Sequence, residues 1–518
     1  MNLSGLIDRG RTLTKIGLEA RRLGRAATEK EKQRARHALA RQFADARGVT
    51  MKFGQLLASG EDGEAFQELV TSIEPFPLDA VRPLIEAEIG QPIESVFASF
   101  EPRATAASLG QVHRAELLHG GTVAVKVQYP DIAGAVADEM RLLSMLPGVG
   151  PVRAWGFDFD GYKTALRENM VRELDYRNEA DRQHQFADAV RVDGLIVPKV
   201  HMDLTSARVL VQGWEQGVDL DAAAAWDLPT RTETGRILMR TLFKSLFDVG
   251  EVHGDPHAGN YAFRQTATGG EVILMDFGCT VPVARSERLA LLKMILAVRE
   301  GGDLNPLDTF AAMGFDADKL VSISGALSTL AHILFTPFEA RSKFFVHHWD
   351  LKSRFDNLLG DNKWWFRAAG PPSHILLLRG FFGLAQQLDA LRAGLDWWAE
   401  LHAALPSSLI DEARAYQPPP VPDTIAARAE WLALSLQLAE NLRVHVTEGE
   451  REVVSLSMPG EAVLRLDELI PEDVMAYLRE SDEWDVPAIL AQVRARGVQP
   501  QEVLDFNKGA RHYRIWLE

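Results

Sequence analysis

A chain of 518 residues with a single cysteine, Cys279, cannot close an intramolecular disulfide, and so sparing a use of thiols points to a reducing compartment. Apolar runs of roughly 18 residues, the length a transmembrane helix needs, are missing: the longest apolar stretches carry Arg, Gln or His. The hydrophobic region of a secretory signal is missing too, so a cytoplasmic protein, soluble or peripheral at the inner face of a membrane, is expected. Positive charge is scarce, with 56 Lys+Arg against 72 Asp+Glu and a net charge of -16. Nucleic acid is thereby disfavoured as a partner, because phosphate contacts need clustered Lys and Arg. What remains is 46% hydrophobic and 25% charged, ordinary globular composition in a chain long enough for roughly two to four domains.

The charge is unevenly spread. Residues 1–52 hold 13 Lys+Arg and 5 Asp+Glu, a surplus of +8 that leaves -24 for the rest. Within 1–48, Leu3, Leu6, Ile7, Leu13, Ile16 and Leu18 alternate with Arg9, Arg11, Lys15, Arg21, Arg22 and Arg25 at helical spacing. Such a basic amphipathic segment either packs on the body with a solvated face or lies on an anionic membrane surface, and both readings stand. A helical extension follows over 49–103, where Thr50 can cap a helix and Lys52 falls in its first turn. The helix dipole disfavours a cation there, so Lys52 is either a solvated surface group or one held by acidic partners elsewhere.

Residues 104–213 read as a nucleotide-cradling region. Small residues, Ala106, Ala107 and Ser108 among them, precede a Gly120-Gly121 turn and then Val123-Ala124-Val125-Lys126, a strand that offers a lysine to the phosphates of a nucleotide. A helix expected over 164–188 carries Glu168, Glu173, Asp175 and Glu179. Asp175 and Glu179 share a face, with Glu173 about one turn upstream, so the helix can meet both Lys126 and Lys52. Spacing alone leaves open which carboxylate meets Lys126. Val209-Leu210-Val211-Gln212-Gly213 then reads as a buried strand running into a hinge where backbone groups could meet adenine.

The centre of the chain lies at 253–278. Asp255 and Asn260 are five apart, the spacing that sets one carboxylate at an attacking hydroxyl and one amide on a metal, and Asp276-Phe277-Gly278 supplies a carboxylate for Mg²⁺. Two β-prone runs around Thr266-Ala267-Thr268-Gly269-Gly270 would fold as a hairpin that returns both ligand ends to one edge. Cys279 beside them reads as a small buried hydrophobe. The region 214–416 is otherwise helical, with Trp364, Trp365, Phe366, Phe381, Phe382, Trp397 and Trp398 read as core. A Pro-rich linker and helix at 417–440 leads to an α+β module at 441–518, read as three strands (442–446, 453–458, 512–517) enclosing helices at 471–480 and 486–496. No catalytic constellation falls in it, so it suits a protein partner or a homodimer.

In these motifs the chain resembles the UbiB (AarF-related, ADCK-type) family of atypical kinases over residues 49 to about 400. The resemblance rests on Lys52-Phe53-Gly54-Gln55, the Ala-rich Thr105-Ala106-Ala107-Ser108, Lys126, Glu173-Leu174-Asp175, His253 to Asn260, and Asp276. It implies an α+β, protein-kinase-like bilobal fold with a helical N-terminal extension, ATP and Mg²⁺ as cofactors, ATPase rather than general protein-kinase activity, and a link to isoprenoid lipid and quinone biosynthesis at a membrane. It further implies that Lys126 pairs with Glu179 and Lys52 with Glu173 and Asp175, that Ala106, Ala107, Ser108 and Lys126 bind nucleotide, and that Asp255, Lys126 and Lys52 act in catalysis with Asn260 and Asp276 on the metal. The sequence departs from the family pattern at Thr105, at Ala258, in the short Gly60-Glu61-Asp62-Gly63, and in lacking a transmembrane hairpin. A nucleotide-binding scaffold without turnover, recruiting partners through the last module, is the competing function.

Overall fold

The computed structural model describes residues 75–518 except Ser108, 145–157, Thr268, Asp303, 436–438, Glu450 and scattered positions in 481–499. The segment 1–48 and the Lys52 motif lie outside the described residues. The chain divides into two compact units, the first holding Asp158–Val283 and Pro372–Gly394 with the preceding N-terminal part, the second Ala284–Pro371 and Leu395–Glu518.

In the first unit, strands β1 (Phe97–Ala106), β2 (Gly110–Leu117), β3 (Thr122–Gln128) and β5 (Val209–Gly213) form an antiparallel sheet in that order, while β4 (Leu195–Ile196) belongs elsewhere. The two-residue period of a strand decides what β3 does. Val123, Val125 and Val127 are buried in a core with Val81, Ile85, Phe97, Val209 and Val211, which turns Lys126 to the opposite face. The helix Leu78–Ile89 covers that core with Leu78, Val81 and Ile85, one helical stripe, and stops at Gly90 in the left-handed region (φ +80). Gly110 is needed at the start of β2, because a Cβ there would lie 2.1 Å from the Val127 carbonyl oxygen.

The hairpin after the catalytic-loop candidate forms as its turn residues require. Strands β7 (Tyr261–Thr266) and β8 (Gly269–Leu274) pair from Tyr261–Leu274 to Thr266–Gly269, so Asn260 and Met275 are neighbours, with Met275 N–H donating to Asn260 O at 2.8 Å. Parallel pairing of β4 on β8 completes a three-stranded sheet. Strands β6 (Glu251–His253) and β9 (Thr280–Pro282) make a separate ladder with His253 opposite Thr280. Buried Cys279 is filler beside it, its carbonyl accepting from Gly254 N–H at 2.9 Å.

The expected single helix over 164–188 is two helices, Phe159–Glu173 and Tyr176–Ala189. Asp175 breaks it: its backbone is extended (φ -124, ψ 101) and its carboxylate accepts from Arg177 N–H as the N-cap of the second helix, the local competition by which Asp favours caps over helix interiors.

The second unit is mainly helical over 285–369 and 397–415. Of the aromatics expected as core, Trp397 is fully buried but Phe382, which falls in the first unit, is 41% exposed. Ala317–Glu339 reaches the length and apolarity of a membrane span, yet half of that stretch is buried in the fold and its helical course breaks at Ile323 and Phe335. Among the described residues the last module has four strands rather than three. Strands β10 (Asn441–Glu448), β11 (Arg451–Pro459), β12 (Gln501–Lys508) and β13 (Arg511–Leu517) run in the order β11-β10-β13-β12, over a core that includes Leu442, Val463, Leu466, Leu478 and Leu504.

Candidate active site

Lys126 is the meeting point of three distant stretches. Its ammonium donates to Glu179 Oε1 at 2.8 Å and Oε2 at 2.9 Å, and to Asp276 Oδ2 at 3.0 Å, partners 53 and 150 positions downstream. Spacing had left Glu173 and Glu179 as alternatives, and Glu179 takes the lysine. Desolvation works against the charged amine, but Asp276 and then Glu179 outweigh it and hold Lys126 well above its ordinary range. Burial lifts Glu179 to about 7 against the pull of Lys126, with Asp276 and Glu173 adding to the rise. Two carboxylates share one ammonium here, with the buried Glu173 carboxylate near enough to raise Glu179 further, an arrangement short of positive charge.

Asp276 is placed by backbone geometry. Its φ of +60 is a left-handed conformation that non-glycine residues seldom adopt, and it turns the carboxylate so that Oδ1 accepts from Gly278 N–H at 3.2 Å while Oδ2 faces Lys126. A Cβ on Gly278 would stand 3.2 Å from Asp276 Oδ1 and 3.4 Å from Glu173 Cγ. The turn is anchored from beneath by His253, whose Nε2–H donates to the Asp276 carbonyl at 2.7 Å. Burial pushes the His253 imidazole below its usual range, which keeps it neutral and able to serve as that donor.

On the loop itself, Asn260 donates through Nδ2 to the Asp255 carbonyl at 3.0 Å, so its amide oxygen is the side-chain atom that could ligate a metal. Asp255 pairs with Arg379 at 2.8 Å, both side chains 7% exposed. Sequence reasoning missed Arg379. The signal was an arginine within Leu376-Leu377-Leu378-Arg379-Gly380-Phe381-Phe382-Gly383, a cation in an otherwise apolar helix.

The acidic helix pair is only partly gathered in. Glu173 is buried, with Asn169 Nδ2 donating to its Oε1 at 2.8 Å. Asp175 is instead gripped by Arg177 through Nε at 2.9 Å and an Nη at 2.7 Å, so its side chain already has a cation. Ala106 ends β1 opposite Gln111, and Ala107 N–H donates to Gly110 O at 2.8 Å, closing the small-residue turn that Ser108, itself outside the described residues, would complete. At the expected hinge, Gly213 N–H donates to Lys199 O and Trp214 N–H to Thr122 O, so both amides are engaged within the fold.

The donor set fits Mg²⁺ with a nucleotide. Asp276 and Asn260 provide hard oxygen atoms, and Mg²⁺ bound with phosphates takes only one or two carboxylates from the protein. No cluster of three or more His, Cys, Asp or Glu able to hold a metal alone occurs among the described residues.

Residues 68–305 match the model of the ABC1 atypical kinase-like domain. The stretch 68–305 is thus a kinase-like domain of the ABC1/AarF type. Among curated relatives, an ABC1 family protein of Schizosaccharomyces pombe is 30% identical over 45% of this chain and 46% of its own length. An uncharacterised Mycobacterium tuberculosis protein is 31% identical over 56% and 59%, and the chloroplastic Activity of BC1 complex kinase 8 of Arabidopsis thaliana is 29% identical over 48% and 34%. The chain thus spans about half the length of these relatives. A solved erythromycin complex of Rv3197 from Mycobacterium tuberculosis shares 23% identity over 72% of this chain and 95% of that one, with a TM-score of 0.48. The ABC1 domain has the α+β, protein-kinase-like fold: a hairpin sheet bearing Lys126, a helix bearing its carboxylate partner, and the loop at 253–260, β-hairpin and Asp-Phe-Gly turn in order.

Proposed function

We propose that the protein is a Mg²⁺-dependent, ATP-binding atypical kinase that hydrolyses ATP or phosphorylates a small molecule, and that it supports isoprenoid-quinone or other lipid metabolism as a cytoplasmic protein peripheral to the inner membrane face. The observation that carries the reading is Lys126 clasped by Glu179 and Asp276 from two distant stretches of chain. In that arrangement Lys126 neutralises phosphate charge and Ala106 and Ala107 let the phosphate tail come close to backbone. Asp255 orients or deprotonates the nucleophile. Asp276 and Asn260 would hold Mg²⁺, which when bound would offset the charge of the phosphates.

Two measurements test this together. Calorimetric titration should show binding of Mg²⁺-ATP that Asp276→Asn weakens, and single-turnover assays with labelled ATP should show hydrolysis that the same variant abolishes. Unchanged affinity in Asp276→Asn would overturn the site. Tight binding with no hydrolysis in the native protein would leave the scaffold function instead.

A further inference from the structure

The helix His374–Ala390 is separated from the catalytic loop by more than a hundred residues of sequence, yet it touches four consecutive loop positions. Leu376 packs at Gly254, where an added Cβ would stand 3.3 Å from Leu376 Cβ. Gly380 lies so close to His253 that a Cβ would come within 2.9 Å of the His253 carbonyl oxygen, and at Gly383 a Cβ would fall 1.9 Å from Pro256 Cβ. Arg379 completes the contact on Asp255 at 2.8 Å. The two glycines bring the helix backbone onto the loop, and the arginine beside them supplies the charge.

A buried guanidinium and a buried carboxylate each cost several kcal/mol to desolvate alone, so a pair with both members 7% exposed is retained only as a pair. This pair sits on the one carboxylate that the proposed reaction needs as a base. We infer that Arg379 is the positioning residue for Asp255, and that Arg379-Gly380-x-x-Gly383 is a distal half of the catalytic loop. The inference rests on the proposed phosphoryl-transfer reading. In that step Asp255 takes the proton of the attacking hydroxyl or water as its oxygen bonds to the γ-phosphorus, and ADP leaves with the bridging oxygen. Arg379 holds one Asp255 carboxylate oxygen at 2.8 Å and so fixes the side chain's rotamer. It touches neither nucleotide nor metal in this role, so its loss should appear in turnover rather than in nucleotide binding.

The test compares Arg379→Met, Arg379→Lys and the native protein in the full chain, by calorimetric Mg²⁺-ATP titration and steady-state ATP hydrolysis. Arg379→Met should lower kcat by about tenfold to a hundredfold, within the range of a mispositioned general base, with KM for ATP and Mg²⁺-ATP affinity within about twofold of native. Arg379→Lys should recover part of kcat, since a point charge replaces the charge but not the forked geometry. An unchanged kcat in Arg379→Met, or a parallel loss of nucleotide affinity, would overturn the inference. A second measurement stands apart from turnover: hydrogen exchange of residues 251–260 in Arg379→Met, Asp255→Asn and the double variant. If the two side chains act as a unit, Arg379→Met accelerates exchange strongly in the native background and little in Asp255→Asn, and additive effects refute it. A native protein that binds Mg²⁺-ATP without hydrolysing it would sink the enzymatic reading, and the exchange cycle would then decide the pairing alone.

Discussion

Replacing Lys126 by Met keeps the length of the side chain and removes the cation that the structure places between Glu179 and Asp276. The consequence follows from burial: Glu179 is 4% exposed and Asp276 29%, so the variant strands one carboxylate wholly out of water and a second partly so. Breaking a buried pair by deleting one member costs about 3–5 kcal/mol, and the lower half of that range is the better expectation here. Glu179 can relieve itself by taking up a proton, as its pKa of about 7 already favours. Glu179→Gln should cost less, because Lys126 keeps Asp276, and the double variant should recover much of the loss of Lys126→Met. The assay is hydrogen exchange of peptides covering β3 and the helix Tyr176–Ala189, which reports on this unit alone. At about 3 kcal/mol, protection in Lys126→Met should fall roughly a hundredfold. Additive losses in the double variant, or equal losses in the two single ones, would refute the buried-pair reasoning.

Other outcomes follow from neighbouring groups. His253 is held neutral by burial, so below about pH 6.5 the unfolded chain binds a proton that the folded chain does not, and stability should fall as pH drops; His253→Gln should flatten that limb in urea titrations across pH. Lys52→Ala should change ATP affinity or open autophosphorylation, read by radiolabel incorporation with Asp276→Asn as the inactive control; identical behaviour to native would leave Lys52 a surface residue. The +8 surplus of residues 1–52 should retain the full chain on anionic liposomes at low salt and release it at high salt, where screening shortens the attraction to about 10 Å at 0.1 M; equal retention on neutral vesicles would return the segment to a packing role.

The parts of the site that were legible are those fixed by local periodicity. Val123, Val125 and Val127 announce a strand with one buried face, and that alone turns Lys126 to the other side. Thr266 to Gly270 announce a hairpin, and once it closes, Asn260 and Asp276 must return to the same end. Asp175 was misplaced because a helical pattern on both sides hides a break that one residue makes: its carboxylate competes for backbone N–H groups, and the competition is settled by Arg177 next to it. Strand β12 was missed for a related reason. Gln501 to Lys508 alternates weakly in sequence, and its register shift between Glu502 and Leu504 interrupts the two-residue period on which recognition depends.

Arg379 was illegible for a different physical reason. No periodicity links it to Asp255, since its meaning lies in a contact between a helix face and a loop 124 positions earlier. What the sequence does hold is an anomaly: a guanidinium in an apolar stretch of helix, followed by Gly380 and Gly383, must find a distant anion if the helix is buried. The aspartate it finds lies on the candidate catalytic loop, close to a histidine and a proline that the helix glycines Gly380 and Gly383 accommodate at close range. The charge that makes Arg379 costly in an apolar helix thus also fixes where that helix can pack, and so ties the catalytic loop to a segment beyond the kinase-like match at 68–305.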